Sequence, residues 1–213
     1  MKKILVLVLV LGFTKAGFSQ TKQTTVSKIY LQAGLGGCTY QGFSGETAIQ
    51  AVFKNKWVAT ISRQSFEMDP KNLPSNYQPE TGYVLFIPYS YSPVVEMKIT
   101  SLTGGRFFKT SKRTWATLEA GPSFVAGEKV TFQRTQVTNS NLIIAASTSS
   151  NYTSTKENQN ALGLALKADF NWAFASFAGL GAGVYANLNS VQSPVGFELK
   201  VSLGWMNYKN RRS

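Results

Sequence analysis

One pattern constrains this chain more than any other: apolar and polar side chains alternate one by one over stretches of eight to twelve residues, and such stretches recur along the sequence. In 195–205, Val195, Phe197, Leu199, Val201, Leu203 and Trp205 alternate with Gly196, Glu198, Lys200, Ser202 and Gly204. In 161–172, Leu162, Leu164, Leu166, Ala168, Phe170 and Trp172 are set against Ala161, Gly163, Ala165, Lys167, Asp169 and Asn171. Successive side chains of a strand point to opposite faces, so a period of two marks a strand with one greasy and one polar side. Weaker versions at 28–36, 46–54, 57–66, 94–108, 114–126 and 174–187 bring the number to eight, and helical spacing does not recur.

The connections alternate as well. Short turns at about 54–56, 109–113 and 172–174 are interleaved with longer loops at about 37–45, 67–93, 127–160 and 188–194. That predicts an all-β, eight-stranded, antiparallel up-and-down barrel with its short turns at one end. A strand crosses a bilayer in about 9 to 11 residues, and an even strand number leaves both termini on the periplasmic side, so the pattern is that of a transmembrane barrel. Trp57, Trp115, Trp172 and Trp205 all fall at the short-turn end, where indoles at the interface would form a periplasmic aromatic girdle.

Targeting agrees. Lys2 and Lys3, the apolar run Ile4 to Phe13 and the small residues before Gln20 read as a signal peptide over 1–19, followed by a short segment 20–27, the barrel 28–208 and a basic tail 209–213. An apolar run of that length is too short to span a bilayer as a helix, which takes roughly 20 residues. The expected location is the outer membrane, with the signal removed and no nucleic acid within reach. Charged residues make up only 15% of the chain, against roughly 25% in ordinary soluble domains, while the mean hydropathy of -0.09 is far from that of a helical membrane protein. The chain has no His and one Cys, Cys38, which removes Ser-His-Asp and Cys-His mechanisms, the commonest transition-metal ligand and any intramolecular disulfide. No enzymatic activity, no metal and no cofactor are expected.

The chain resembles the small outer-membrane β-barrel proteins of Gram-negative bacteria, of the OmpA-like transmembrane and OmpX-like type. The resemblance rests on the signal ending in Ser19-Gln20, on the phrases Leu31-Gln32-Ala33-Gly34 and Leu118-Glu119-Ala120-Gly121, and on the closing strand Leu199 to Tyr208. It covers nearly all of 28–208; Lys209 to Ser213 extend past the aromatic end where such proteins often stop. It implies a role in envelope integrity or adhesion.

With the greasy face outward, Glu96, Lys98, Glu119, Lys167, Asp169, Glu198 and Lys200 point into a lumen that eight strands leave just wide enough to fill with side chains. Charges there must be paired, which predicts a structural ion-pair network in a plugged lumen, the alternative being a proton or ion pathway. Glu96 with Glu119, or Asp169 with Glu198, would suit a glycosidase only in an open cleft. Gly179-Leu180-Gly181-Ala182-Gly183 lacks the βαβ context of a dinucleotide loop and reads as a small-residue wall.

The 67–93 loop holds Tyr83, Phe86, Tyr89 and Tyr91 between Pro70 and Pro93, either as a contact surface for a surface protein or glycan or as strands packing beyond the membrane. The Ser/Thr/Asn-rich stretch 139–160 reads as a solvated loop. Lys54, Lys56, Lys109, Lys112, Arg113, Lys209, Arg211 and Arg212 crowd the short turns and tail with no acid among them, making a basic rim suited to outer-membrane lipids. Rival readings are a secreted soluble barrel carrying an apolar ligand, which needs its greasy face inward, a lipid-modifying outer-membrane enzyme built on Ser and Lys, and a narrow channel.

Overall fold

The computed structural model describes residues 26–84, 87–136, 139–142 and 145–206. Residues 1–25, which include the expected signal peptide, lie outside them, as do Phe86, Tyr208 and the basic tail. Eight antiparallel strands close into a barrel: β1 (Val26–Cys38), β2 (Gly42–Phe53), β3 (Trp57–Met68), β6 (Val95–Lys109), β7 (Thr114–Arg134), β10 (Tyr152–Ala173), β11 (Ala178–Asn189) and β12 (Val195–Trp205). Each pairs with its sequence neighbours in the barrel, and β1 closes the ring against β12. This is the up-and-down topology of a transmembrane β-barrel. β4 (Glu80–Val84), β5 (Ile87–Tyr91), β8 (Asn139–Leu142) and β9 (Ala145–Thr148) form a separate four-stranded sheet in the order β5-β4-β9-β8.

Alternation decides which face is which. Outward cross-strand pairs such as Leu31 with Leu203, Leu35 with Leu199 and Ile49 with Ile61 cover the wall in aliphatic surface, all six side chains being exposed. The inner face carries Gln32, Glu46, Gln50, Thr60, Ser62, Gln64, Ser101, Thr117, Glu119, Lys167, Asp169, Asn171, Glu198, Lys200 and Ser202, all buried. A soluble carrier requires the reverse. Contiguous apolar surface on this scale is stable only against another apolar phase.

Three details differ from expectation. The connection at 37–45 is a tight turn over 39–41, because Tyr40 and Gln41 take positive φ (64° and 52°) and let β1 and β2 run on. β7 and β10 pair from Thr114–Trp172 up to Arg134–Tyr152, so much of 127–160 is ladder, and its remainder includes β8 and β9. The short turn expected at 172–174 lies at 174–177, since Trp172 and Ala173 still pair with β7 or β11.

Candidate functional site: the lumen and the long-loop end

The central belt of the lumen is an ion-pair network with Glu46 as its hub. Strand β2 turns Phe53, Ala51, Ile49 and Thr47 outward and so brings Val52, Gln50, Ala48 and Glu46 inward. Lys167 on β10 binds Glu46 Oε1 and donates to Ser62 Oγ at 2.6 Å. Lys200 on β12 reaches Glu46 Oε2 at 2.7 Å and Asp169 Oδ1 at 2.9 Å, with Glu198 Oε2 at 3.7 Å. Gln64 donates to the other oxygen of Glu198 at 3.2 Å. Glu119 stands apart from the lysines: Gln50 Nε2 and Thr103 Oγ1 donate to its two oxygens at 2.6 and 2.8 Å. Neutral donors solvate that carboxylate in place of water.

Of the residues expected in the lumen, Lys167, Asp169, Glu198 and Lys200 meet, Glu119 lies inside among amides and hydroxyls, and Glu96 and Lys98 lie outside. On β6 the inward set is Val95, Met97, Ile99, Ser101 and Thr103. The rule "greasy side out" fails on the upper half of this strand because the barrel wall there has passed beyond the apolar band: the outside is polar and the inside packs with itself. Glu46 was missed because its strand has a weak alternation, although Ile49 and Phe53 facing outward fix its side.

Glycines in β11 make room for this belt. Gly179, Gly181 and Gly183 pair with Ala173, Asn171 and Asp169, and a Cβ on Gly183 would collide with the Asp169 carboxylate while one on Gly181 would come within 2.7 Å of Asn171 Oδ1. The glycine-rich phrase is thus a wall thinned opposite bulky polar groups.

Apolar clusters flank the belt on both sides. Tyr30, Val52, Val58, Phe107, Trp115, Ala173 and Met206 pack at the short-turn end, with Trp115 Nε1 donating to the Tyr30 hydroxyl at 3.1 Å and the Lys28 ammonium 4.6 Å from the Trp115 ring centre. Trp115 is only 1% exposed and belongs to the lumen, a correction to its expected place in the girdle: it begins β7 on the inward parity. Trp57, Trp172 and Trp205 face outward, each about half exposed. At the other end Phe66, Met68, Val95, Met97, Ile99, Val125, Val130 and Tyr185 pack together.

A strap crosses the mouth above that second cluster. β3 and β11 stand four places apart in the ring of eight, yet immediately after β3 the Asp69 carbonyl accepts from Gln192 Nε2 at 2.9 Å and Lys71 N donates to Gln192 Oε1 at 3.2 Å, on the β11–β12 connection. Asn72 then donates to the Val130 carbonyl at 2.9 Å, and Asn76 and Gln78 bond to Asn151 and Tyr152. Tyr77, Phe132 and Tyr152 form an aromatic cluster with ring centres 5.8 to 6.4 Å apart.

Beyond the strap, the Tyr-rich segment is the hairpin β4–β5, which joins β9 through the pairs Tyr83–Ala146 and Thr81–Thr148. The segment is therefore a strand pair packed in its own small sheet, and part of the stretch read as a solvated loop supplies that sheet's other half. Tyr83 and Tyr91 are exposed (58% and 60%) and Tyr89 is half-buried, its hydroxyl 3.4 Å from Glu80. Among the described residues no group of three or more His, Cys, Asp or Glu is arranged to hold a metal ion.

No protein-family model and no curated protein sequence matches the chain. Among solved structures it is similar to the N-terminal β-barrel domain of Pseudomonas aeruginosa OprF (TM-score 0.51, 11% identity, covering 84% of this chain and 98% of that one). It is similar also to Neisserial surface protein A (TM-score 0.50, 12% identity, 84% and 96%). At such identity the likeness is one of fold.

Proposed function

We propose that the protein is an outer-membrane barrel with a closed, non-conducting lumen, acting in the cell envelope as a scaffold that presents the β5-β4-β9-β8 sheet at the surface. The observation that carries this reading is the layering of the lumen, a polar belt between two apolar clusters with a strap across the mouth. Hydrated ions crossing it would have to shed water against Trp115 and Tyr30 at one end and Met97, Phe66 and Tyr185 at the other. A lumen so filled has no room for substrate, so recognition falls to the surface sheet, where Tyr83 and Tyr91 bring large exposed apolar area at small entropic cost. A surface protein or glycan is the class of partner this fits, and Tyr83, Phe86, Tyr89 and Tyr91 are the proposed contacts. The three outward tryptophans are proposed as the girdle on the periplasmic side, in contact with outer-membrane lipids.

The test is fractionation with heat-modifiable gel mobility, followed by planar-bilayer recording of the purified chain. Expected are outer-membrane partitioning, a mobility shift on boiling and no discrete conductance. Steady single-channel currents from the parent chain would replace the closed scaffold with a channel. Deleting residues 80–91 should leave folding and the mobility shift intact while lowering binding of cells to immobilised glycans or surface proteins.

A further inference from the structure

We propose that the short-turn end carries a binding site for the phosphate of an anionic phospholipid, built on the seam between β3 and β6 from Arg106, Lys54 and Lys56 around Trp57. The proposal rests on the membrane-barrel reading above. Trp57 and Arg106 are direct partners across β3 and β6 on the outward face, and the guanidinium lies 4.6 Å from the indole ring centre. That contact engages the charge of the guanidinium with the ring and consumes none of its five N–H donors. Among the described residues no carboxylate pairs with Arg106, and there is no acid in 53–57 or 106–114.

The neighbouring turn adds two more cations. Lys54 and Asn55 take positive φ (49° and 51°), giving a tight hairpin turn over 54–56 closed by Lys56 N to the Phe53 carbonyl at 3.0 Å. The Phe107 amide donates to the Lys56 carbonyl at 2.9 Å, which fastens this turn beside Arg106, and Lys54 and Lys56 are both exposed. The third turn is different in kind. Residues 174–177 are Phe-Ala-Ser-Phe, with Phe174 and Phe177 exposed and no charge. Among the described turns the cations are therefore unevenly placed, and Arg106, Lys54 and Lys56 repel one another until an anion sits between them. Trp57 sets the height, because an exposed indole at the end of a lipid-facing strand lies at the headgroup level, which is where phospholipid phosphates are. An arginine fork binds phosphate through two parallel N–H donors, and flexible lysines add charge around it.

The experiment uses the full mature chain in phospholipid bilayers, with Trp172→Phe and Trp205→Phe so that Trp57 is the one exposed indole and Trp115 stays in the lumen. Quenching of Trp57 fluorescence is compared for brominated phosphatidylglycerol and brominated phosphatidylcholine at equal mole fraction. The expected result is an association constant about threefold or more in favour of phosphatidylglycerol, lost in Arg106→Gln with Lys56→Gln and kept in Lys98→Gln, which alters the opposite end. Equal quenching by both lipids, or a preference that survives the double change, overturns the proposal. Relief of the preference by millimolar inorganic phosphate would assign the site to the free anion and overturn the lipid assignment. Absence of quenching by either lipid would instead refute the membrane reading on which the proposal rests.

Discussion

Glu46 places one carboxylate between two ammonium groups, while Glu119 receives only neutral donors, and the two should respond differently to the same change. Glu46→Gln leaves Lys167 and Lys200 short of charge inside the wall and is expected to cost about 3 to 5 kcal/mol. Glu119→Gln removes no ion pair and is expected to cost about 1 to 3 kcal/mol through a misdirected amide. Urea unfolding in liposomes measures both, and the double change Glu46→Gln with Lys167→Met should be milder than the sum of its parts. Strict additivity would mean that these groups are solvated separately. Glycine supplies a second test. Gly183→Ala drives a methyl into the Asp169 carboxylate and should destabilise by about 1 to 3 kcal/mol, whereas Gly45→Ala meets Leu35 at 3.6 Å and the Gly34 carbonyl at 4.0 Å, ordinary contact distances, and should be close to neutral in the same assay.

Strand β6 shows why one polarity rule does not serve a whole element. Its lower half turns Leu102 and Phe108 outward and Ser101 and Thr103 inward; its upper half turns Glu96 and Lys98 outward and Val95, Met97 and Ile99 inward. Lys98→Leu is therefore expected to leave folding in liposomes nearly unchanged, while Ile99→Lys disrupts the apolar cluster at the mouth. Leu199→Arg, on the aliphatic face of β12, should cost about 2 to 4 kcal/mol near the bilayer midplane. The reverse ranking of Lys98 and Ile99 would refute the inward–outward assignment. The same inversion marks what was legible in the sequence. Every barrel strand could be read from alternation, and Lys167, Asp169, Glu198 and Lys200 could be placed inside, because their strands are flanked outside by Leu, Phe and Trp. Glu96 and Lys98 were misplaced because alternation reports a contrast between faces and not which face is wet. Trp115 differs from the other three tryptophans for a related reason: nearness to a turn sets height along the barrel, while the parity it shares with Thr117 and Glu119 turns it inward. β4 and β5 match the packed-strand alternative for 67–93, whereas β8 and β9 were hidden in a Ser/Thr/Asn-rich stretch, because short strands pairing across a long chain separation leave no local pattern strong enough to specify partners.

At the scale of the molecule, three outward indoles and one inward one share the short-turn end. Lipids brominated near the headgroup should quench Trp57, Trp172 and Trp205 to similar extents and leave Trp115 emission blue-shifted and unquenched. Single-tryptophan variants make this comparison directly, and unequal depths among the three would mean that the barrel axis is inclined to the membrane. Closure of the ring between β1 and β12 leaves the body of the wall without an edge, and edges remain where β7 and β10 run past β6 and β11 and in the small upper sheet, with β5 and β8 at its margins. Pro88 sits in one of those edges, where a missing N–H interrupts the donor row another chain could pair with.

The polarity inversion along β6 also fixes something that no single contact does, namely how deep the barrel rides. Were the molecule to sink by one residue pair, Lys98 and Glu96 would be drawn down toward hydrocarbon at one end; were it to rise, Arg106 and the turn lysines would follow at the other. Both displacements are opposed, and by different side chains, so the wall carries its own waterline and returns to it. Membranes of unequal thickness should then deform to meet the protein, since the draught of the barrel is written into its sequence.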